Sequence, residues 1–499
     1  MLFVPDSSSQ LPAPNFPPML LKRFYDSKLA QASYLIGCPS TGEALIVDPN
    51  RDALSYLQAA ELEGLKVQHI TETHIHADFV SGARELAHRT KGRLYLSAAG
   101  GHDWQYDYAA SVGAVPLRDG TRFRVGKVEI EVLHVPGHTP EHLTFLVTDT
   151  SSASEAMGAF TGDFIFVGDV GRPDLLERAA NVQGTMEESA RQLFRSLQRF
   201  RRFPDFLQIW PGHGAGSACG KNLGAVPQST LGYEKRFNWA FGVSDEAEFV
   251  RTVLAGQPEP PRYFAKMKHI NKSGPRLLDG SRPPARLPGA ELAAALARGA
   301  TVVDTRQAAE FKRGGVPGTI NIPANRAFTT WAGSLLPYDQ PFFLLTDAPG
   351  SGLIDQLARD LSGIGLDGLA GYFGPEALEI WRSTTGGLQV IPDFALSDVR
   401  DGLQTQQITL LDVRGEDEWR SGHVPGSVNV PVGKLDQQAG GFSSGRRIIV
   451  HCQTGARAAI AASVLKARGL SDVGVFAGGY AEWMAAGQPR VTESSPVSN

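Results

Sequence analysis

Three cysteines in 499 residues, Cys38, Cys219 and Cys452, are too few for a disulfide framework, so a reducing compartment, the cytoplasm, is expected. No run approaches the roughly 20 apolar residues that a membrane-spanning helix needs. Positive charge is not in excess either: a formal net charge of −4 gives no electrostatic basis for binding nucleic acid or an anionic membrane. A hydrophobic share of 42% and a charged share of 20% exclude disordered and collagen-like classes. This length suits about two to four domains. Residues 1–18 lack a basic start and a continuous apolar segment, so no secretory signal is expected. They end in a proline-rich stretch and read as a flexible extension, with Met19 an alternative start.

What is present is patterned. The run 44–48 before Pro49 reads as a short buried strand, and 127–133 alternates apolar and polar residues as a half-buried strand does. Thr185 with Glu188 three residues on reads as a capping box, opening a helix with Met186, Ala190, Leu193 and Leu197 on one face. Further on, residues 304–323 align without gaps to 412–431, nine of twenty positions being identical at an offset of 108. That offset is too long for a stacked repeat and indicates a duplicated domain. Each copy has a helical stretch before it (292–297; 397–402) and a buried strand after it (342–345; 448–450), the rhythm of a parallel α/β fold. Linkers are expected at 257–261, at 282–288 and near Gly386. The domain boundaries follow as 19–275, 283–385 and 392–490, with a flexible tail at 491–499.

Four short loops carry the candidate metal chemistry. His74, His76 and Asp78 alternate after the buried run 67–70, which can aim two imidazoles and a carboxylate into one cavity. His138 follows Gly137, Asp163 follows Gly162, and His213 follows Gly212. This order, H-x-H-x-D, G-H-T, G-D and G-H, resembles the metallo-β-lactamase superfamily, whose αββα sandwich holds metal at one edge of its sheets. Binuclear members carry His after the Asp of the first motif; here that residue is Phe79, which favours a single metal. The persulfide dioxygenase branch uses a two-His, one-carboxylate Fe(II) site with positions open for O₂ and substrate. Its ligands match His74, His138 and Asp163, leaving His76, Asp78 and His213 to fix imidazole tautomers and hold water. The stretch 168–175 also resembles that branch, and Arg172 is a candidate for an acidic substrate group, or else a surface Arg in a turn.

Cys452 follows the buried strand 448–450 and precedes a helix over 458–465. Such a strand–loop–helix turn aims successive N–H groups inward, a cradle that stabilises a thiolate or persulfide anion. The loop is Cys452, Gln453, Thr454, Gly455, Ala456 and Arg457, and its Arg stands one residue closer to Cys than in phosphatase loops of the C-x5-R type. With the preceding D-V-R, G-H-V-P-G and later G-G-Y-A-E-W segments it resembles rhodanese. The middle copy has no thiol: in the gapless register Leu344 faces Cys452, and small gaps bring Thr346 or Asp347 there. It is expected to be an inactive rhodanese homologue with a spacer or docking role.

The whole order resembles the bacterial persulfide dioxygenase–rhodanese (CstB-like) fusions. That resemblance implies one Fe(II) in the first domain and oxidation of a persulfide of glutathione, coenzyme A or another small thiol, with O₂, to sulfite. Cys452 would then transfer sulfane sulfur to give thiosulfate. Cys219, six residues after His213, either carries sulfur near the iron or packs; Cys38 reads as structural. A homo-oligomer is compatible, through helices near 245–256 or the middle module. The rival reading is a glyoxalase-II-like thioester hydrolase, against which Phe79 argues because that chemistry relies on a second metal.

Overall fold

Among the described residues, twelve strands build the first half of the chain into two facing sheets. The computed structural model describes residues 19–178, 184–278, 283–348, 350–438, 441–442 and 445–493; the expected extension 1–18 and residues 494–499 of the expected tail lie outside these. Two compact units result, one of residues up to 260 with 264–279, the other of 261–263 with 280 onward.

In the first unit one sheet runs β1 (Leu20–Asp26), β2 (Gln31–Cys38), β3 (Glu43–Val47), β4 (Lys66–Thr71), β5 (Arg93–Ser97), β6 (Val115–Leu117). The other runs β12 (Ser229–Thr230), β11 (Gln208–Pro211), β10 (Gly158–Gly162), β9 (Leu143–Asp149), β8 (Val128–His134), β7 (Arg122–Val125). All eight residues of β2 are buried, whereas β8 alternates buried and half-buried positions over Val128–Val132, the pattern of a strand with one covered face. Ile36, Val47, Ile130, Val132 and Phe145 fill the space between the sheets. Helices Ala53–Leu62 and Ala83–Thr90 cover one outer face, Met186–Phe200 and Glu246–Leu254 the other. The architecture is an αββα sandwich.

Helix Met186–Phe200 begins where the sequence places it, and Ala190, Leu193 and Leu197 are buried on one face. The capping box does not form: Thr185 makes no side-chain cap, and the amides of Thr185 and Met186 are taken by the Glu177 carboxylate at 3.2 and 3.3 Å. An acid from the preceding turn takes the Thr185 amide that the Glu188 carboxylate of a capping box would accept.

The second unit holds two five-stranded sheets. One runs β13 (Arg286–Leu287), β17 (Leu369–Phe373), β16 (Phe342–Leu345), β14 (Thr301–Asp304), β15 (Ile320–Asn321); the other runs β18 (Asp393–Phe394), β22 (Val473–Phe476), β21 (Arg447–His451), β19 (Ile408–Asp412), β20 (Val428–Asn429). Every pairing is parallel and the two strand orders are the same. Asp304 pairs with Leu345 and Asp412 with His451, so Thr346 stands where Cys452 stands. The gapless register, with Leu344 there, is corrected: the middle copy is two residues longer between these strands. Thr346 is fully buried, and its hydroxyl accepts the Ala348 amide at 3.1 Å.

Helix Ala456–Ala467, which follows the Cys452 loop, is buried at every position from Ala458 to Leu465, where Ser463 is the one polar residue. A stretch buried on every face needs cover on every side, and the middle module supplies one of them. Phe311 shares its core, Ile320, Trp331 and Leu335 pack against it, and the Asn321 amide donates to Ser463 Oγ at 2.8 Å. The thiol-free copy therefore supports the helix behind the sulfur loop. Ile460→Ala is expected to cost about 2–4 kcal/mol in chemical denaturation of the second unit. Val491, at the start of the expected tail, bridges His423.

Candidate metal centre and sulfur-transfer loop

The His/Asp loops of the first unit leave the ends of β4, β8, β10 and β11 at one edge of the sandwich. Main-chain bonds tie them to one another: the Leu143 amide donates to the Thr73 carbonyl at 2.7 Å, and the Gly212 amide to the Gly162 carbonyl at 2.9 Å. Gly137 makes the turn before His138 possible. Its φ is +150°, and any Cβ there would collide with the Leu193 backbone.

Hydrogen bonds fix each imidazole. Asp48 at the end of β3 accepts the Thr73 amide (2.6 Å) and the Thr73 hydroxyl (2.9 Å), so that hydroxyl's oxygen is left to accept from His74 Nδ1 at 2.9 Å. His138 Nδ1 donates to the Arg172 carbonyl and His213 Nδ1 to the Ala30 carbonyl, both at 2.9 Å. In the neutral rings each Nε2 is then a bare lone pair. These lone pairs face carboxylate oxygens: Asp163 Oδ2 lies 3.9 Å from His74 and 3.4 Å from His138, while Asp163 Oδ1 lies 3.4 Å from His213. Acceptor facing acceptor is repulsive unless a cation sits between, and both Asp163 oxygens are buried without a donor. The donor set fits a metal ion.

His74, His138 and Asp163 offer ligand atoms all within 4.8 Å of one another, and Asp78, His213 and Cys219 form a second such group. His213 Nε2 is 3.2 Å from Asp78 Oδ2, and His76 Nε2 is 3.1 Å from Asp48. Phe79 is fully buried, its ring 4.4 Å from that of His76. Burial holds His74 well below the usual imidazole range, helped by His76, His142 and His138, and burial also lowers His138. Burial, with the charges of Asp163 and Asp78, pushes the Cys219 thiol well up, so it is protonated when no cation is bound.

Arg172 lies elsewhere than expected. It is completely buried, its Nε and Nη2 donate to Asp174 at 2.8 and 2.7 Å, and Nη1 donates to the Ala218 carbonyl at 3.1 Å. A fork already closed on a carboxylate is not open to a substrate acid; Arg172 bears on the centre through its carbonyl on His138. Four further residues were not singled out from sequence. Asp48 had a signal, an acid ending a buried strand before proline. His142, four residues after His138, accepts the Asp163 amide at 3.0 Å and stacks on His74 with ring centroids 4.8 Å apart. Glu141 accepts the Ile75 amide at 2.9 Å, and Asn271 donates to the carbonyls of His76 and Phe79 at 2.8 and 2.7 Å. Nothing local marks Asn271. Asp48→Ala is expected to weaken metal binding about 10- to 100-fold, as loss of a tautomer-fixing partner does, which competition with a chelator measures.

In the second unit Cys452 is buried at the end of β21, and its Sγ accepts the Gly455 amide at 3.2 Å. Gly455 has φ +90°, and a Cβ there would strike the Ala477 carbonyl. The Tyr480 and Ala481 amides hold the carbonyls of Cys452 and Gln453 at 2.9 and 3.0 Å. Gln453, Thr454 and Ala456 are exposed, whereas Arg457 is half-buried and grips Glu418 through both terminal nitrogens at 2.6 and 2.8 Å.

Among the described residues no helix is long and apolar enough to cross a membrane. A family model for the metallo-beta-lactamase superfamily matches residues 27–213, and one for the rhodanese-like domain matches 395–486. A crystal structure of a metallo-beta-lactamase from Staphylococcus aureus subsp. aureus COL is 44% identical with a TM-score of 0.66, over 72% of this chain and 100% of that one. The mitochondrial persulfide dioxygenase ETHE1 of Bos taurus is 28% identical over 47% of this chain and 81% of its own length. A hydroxyacylglutathione hydrolase of Polaromonas is 32% identical over 48% of this chain and 93% of its own. The chain spans 61% and 60% of the length of beta-lactamase hydrolase-like proteins from Agrobacterium fabrum and Xylella fastidiosa. Loops, sheets and relatives agree: the chain belongs to the metallo-beta-lactamase superfamily and carries a rhodanese-like domain fused to it.

Proposed function

We propose that the first unit oxidises a low-molecular-weight persulfide with O₂ and that Cys452 in the second moves sulfane sulfur, the two steps together yielding thiosulfate. The observation that carries this reading is the convergence of His74 Nε2, His138 Nε2 and Asp163 on one point, with Phe79 filling the place of a second metal's histidine. Two imidazoles and one carboxylate are the donor set of Fe(II) oxygenases. Fe(II) held there supplies a place where O₂ and the persulfide sulfur meet. The balance is R–S–SH + O₂ + H₂O giving R–SH, sulfite and two protons. Asp48, Thr73 and the carbonyls of Arg172 and Ala30 keep the imidazoles in the binding tautomer, and the buried edge around Phe79 limits water. The persulfide dioxygenase relative and the rhodanese-like domain support this general chemistry.

At Cys452 the thiolate attacks the sulfane sulfur of a persulfide, forming a new S–S bond and releasing the carrier thiolate. Sulfite then attacks the outer sulfur, the S–S bond breaks, thiosulfate leaves, and the Cys452 thiolate is restored. The Gly455 amide holds the sulfur's charge through the cycle, and Arg457, paired with Glu418, braces the rim of the loop. Glutathione and coenzyme A are both suitable carriers, and the cytoplasm is the proposed location.

A thioester hydrolase is the second reading, supported by the Asp78, His213 and Cys219 group and by the hydroxyacylglutathione hydrolase relative. Anaerobic iron loading, a metal count per chain, O₂ uptake with persulfides, and analysis for sulfite and thiosulfate separate the two. One iron with persulfide-dependent O₂ uptake is expected. Two metals with thioester cleavage and no O₂ uptake would reject the oxygenase reading.

A further inference from the structure

Helix Phe264–Ser273 lies outside the stretch matched by the superfamily model, yet it is fastened to the metal edge. Asn271 donates to the carbonyls of His76 and Phe79, and its Oδ1 accepts the Ser81 amide at 2.9 Å. The helix is basic: Lys266, Lys268, His269 and Lys272 fall within ten residues without an acid, in a chain whose net charge is −4. Met267 and Asn271 are buried, and Lys268, one turn before Asn271, sits about 5 Å along the axis from that anchor.

Lys268 is built into its position. Its ammonium lies 3.5 Å from the centroid of the Trp104 ring, a cation held on an aromatic face. Trp104 closes the loop 98–104, in which Gly100 packs against the Glu141 backbone. The Glu141 carboxyl is buried; one oxygen takes the Ile75 amide between His74 and His76, and Oε2 has no hydrogen-bond partner. Glu141 and Lys268 attract each other electrostatically, but among the described residues no hydrogen bond leaves the Lys268 ammonium. An ammonium has three donors. Here a pinned cation with unused donors stands on the edge that carries the metal-binding loops.

We propose that Lys268, seated on Trp104, is the anion-recognition point for the thiol carrier, binding a carboxylate or phosphate of the carrier whose persulfide end reaches the His74, His138 and Asp163 centre. This deepens the persulfide reading and rests on it. It gives the substrate a class: an anionic thiol rather than a neutral one. Arg172, closed on Asp174, leaves that role open.

The test uses the full-length iron-loaded protein and three persulfides, those of glutathione, coenzyme A and the uncharged 2-mercaptoethanol. Lys268→Ala should raise KM for an anionic carrier about tenfold, the scale of a lost charge-assisted hydrogen bond. It should leave kcat and iron content unchanged and KM for the uncharged persulfide unaltered. Lys268→Arg should restore most of the loss. Whichever of glutathione and coenzyme A shows the larger effect is the carrier. An equal KM change for charged and uncharged persulfides would overturn the proposal, as would a fall in iron content with no change in KM. If no persulfide drives O₂ uptake, the reading of the reaction has failed, and calorimetry with inert S-methylglutathione and S-methyl-coenzyme A still decides the site. Weaker binding to Lys268→Ala than to the parent supports it; no binding of either thioether to the parent overturns it.

Discussion

Cys452→Ser protein, loaded with iron and given a persulfide, is expected to consume oxygen at the parent rate while forming no enzymatic thiosulfate, so that sulfite accumulates instead. Serine keeps the size of the side chain and an acceptor for the Gly455 amide, so the loop and the helix behind it should fold unchanged. It cannot form a persulfide. The other thiols are Cys38 and Cys219, both in the first unit, and the structurally equivalent residue of the middle module is Thr346. No group in the second unit can replace the lost nucleophile, and the transfer rate should fall by about three orders of magnitude or more, the scale of deleting a covalent nucleophile. Oxygen electrode traces and chromatographic measurement of sulfite and thiosulfate read both halves of this outcome. Intact-mass analysis of the parent after persulfide treatment should show one added sulfur on the Cys452 peptide that the variant lacks. Thiosulfate at the parent rate from the variant would mean that transfer does not pass through Cys452. Gly455→Ala should approach the same result by another route, because its Cβ has no room beside the Ala477 carbonyl and its φ of +90° strains any L side chain.

Much of this was legible in the residues, and what was not has a physical reason. Loops that present ligands are local: glycine before histidine, alternate residues at a strand end, cysteine between a buried strand and an apolar helix. Each leaves its mark within a few positions. The groups that aim those ligands are distant and chemically ordinary. Asn271 lies 195 residues from His76, and an asparagine on a basic helix carries no sign of what it holds. His142 stands in the shadow of His138 although both reach Asp163, His138 facing its carboxylate and His142 accepting its main-chain amide. For Arg172, sequence gives the charge of a guanidinium but not whether an acid two residues away has already claimed it. The Thr185 box failed for the same reason, since Glu177 reached the free amides first. In the duplicated half, the repeat motif aligned without gaps, but the two-residue difference lay beyond it, where only strand pairing fixes the register.

Asp163 is the residue on which the metal reading can be tested most severely. Its two oxygens face different imidazoles, Oδ2 toward His138 and His74 and Oδ1 toward His213, and neither has a donor. Asp163→Asn keeps the shape and removes the charge. Its amide can donate to one of the Nε2 lone pairs that the carboxylate only opposes, so the apo fold should tolerate the change and its thermal midpoint should not fall. The bound metal should be lost. Weakening greater than the about 10- to 100-fold seen for partners behind a ligand is expected, because here a ligand itself goes. Iron per chain after desalting should drop to near zero, and persulfide-dependent O₂ uptake should vanish with it, while sulfur transfer through Cys452 in the other unit persists. That combination separates a ligand from a structural residue. A buried acid needed only for folding would lower the thermal midpoint and both activities together, and a variant that kept its iron would remove Asp163 from the metal centre.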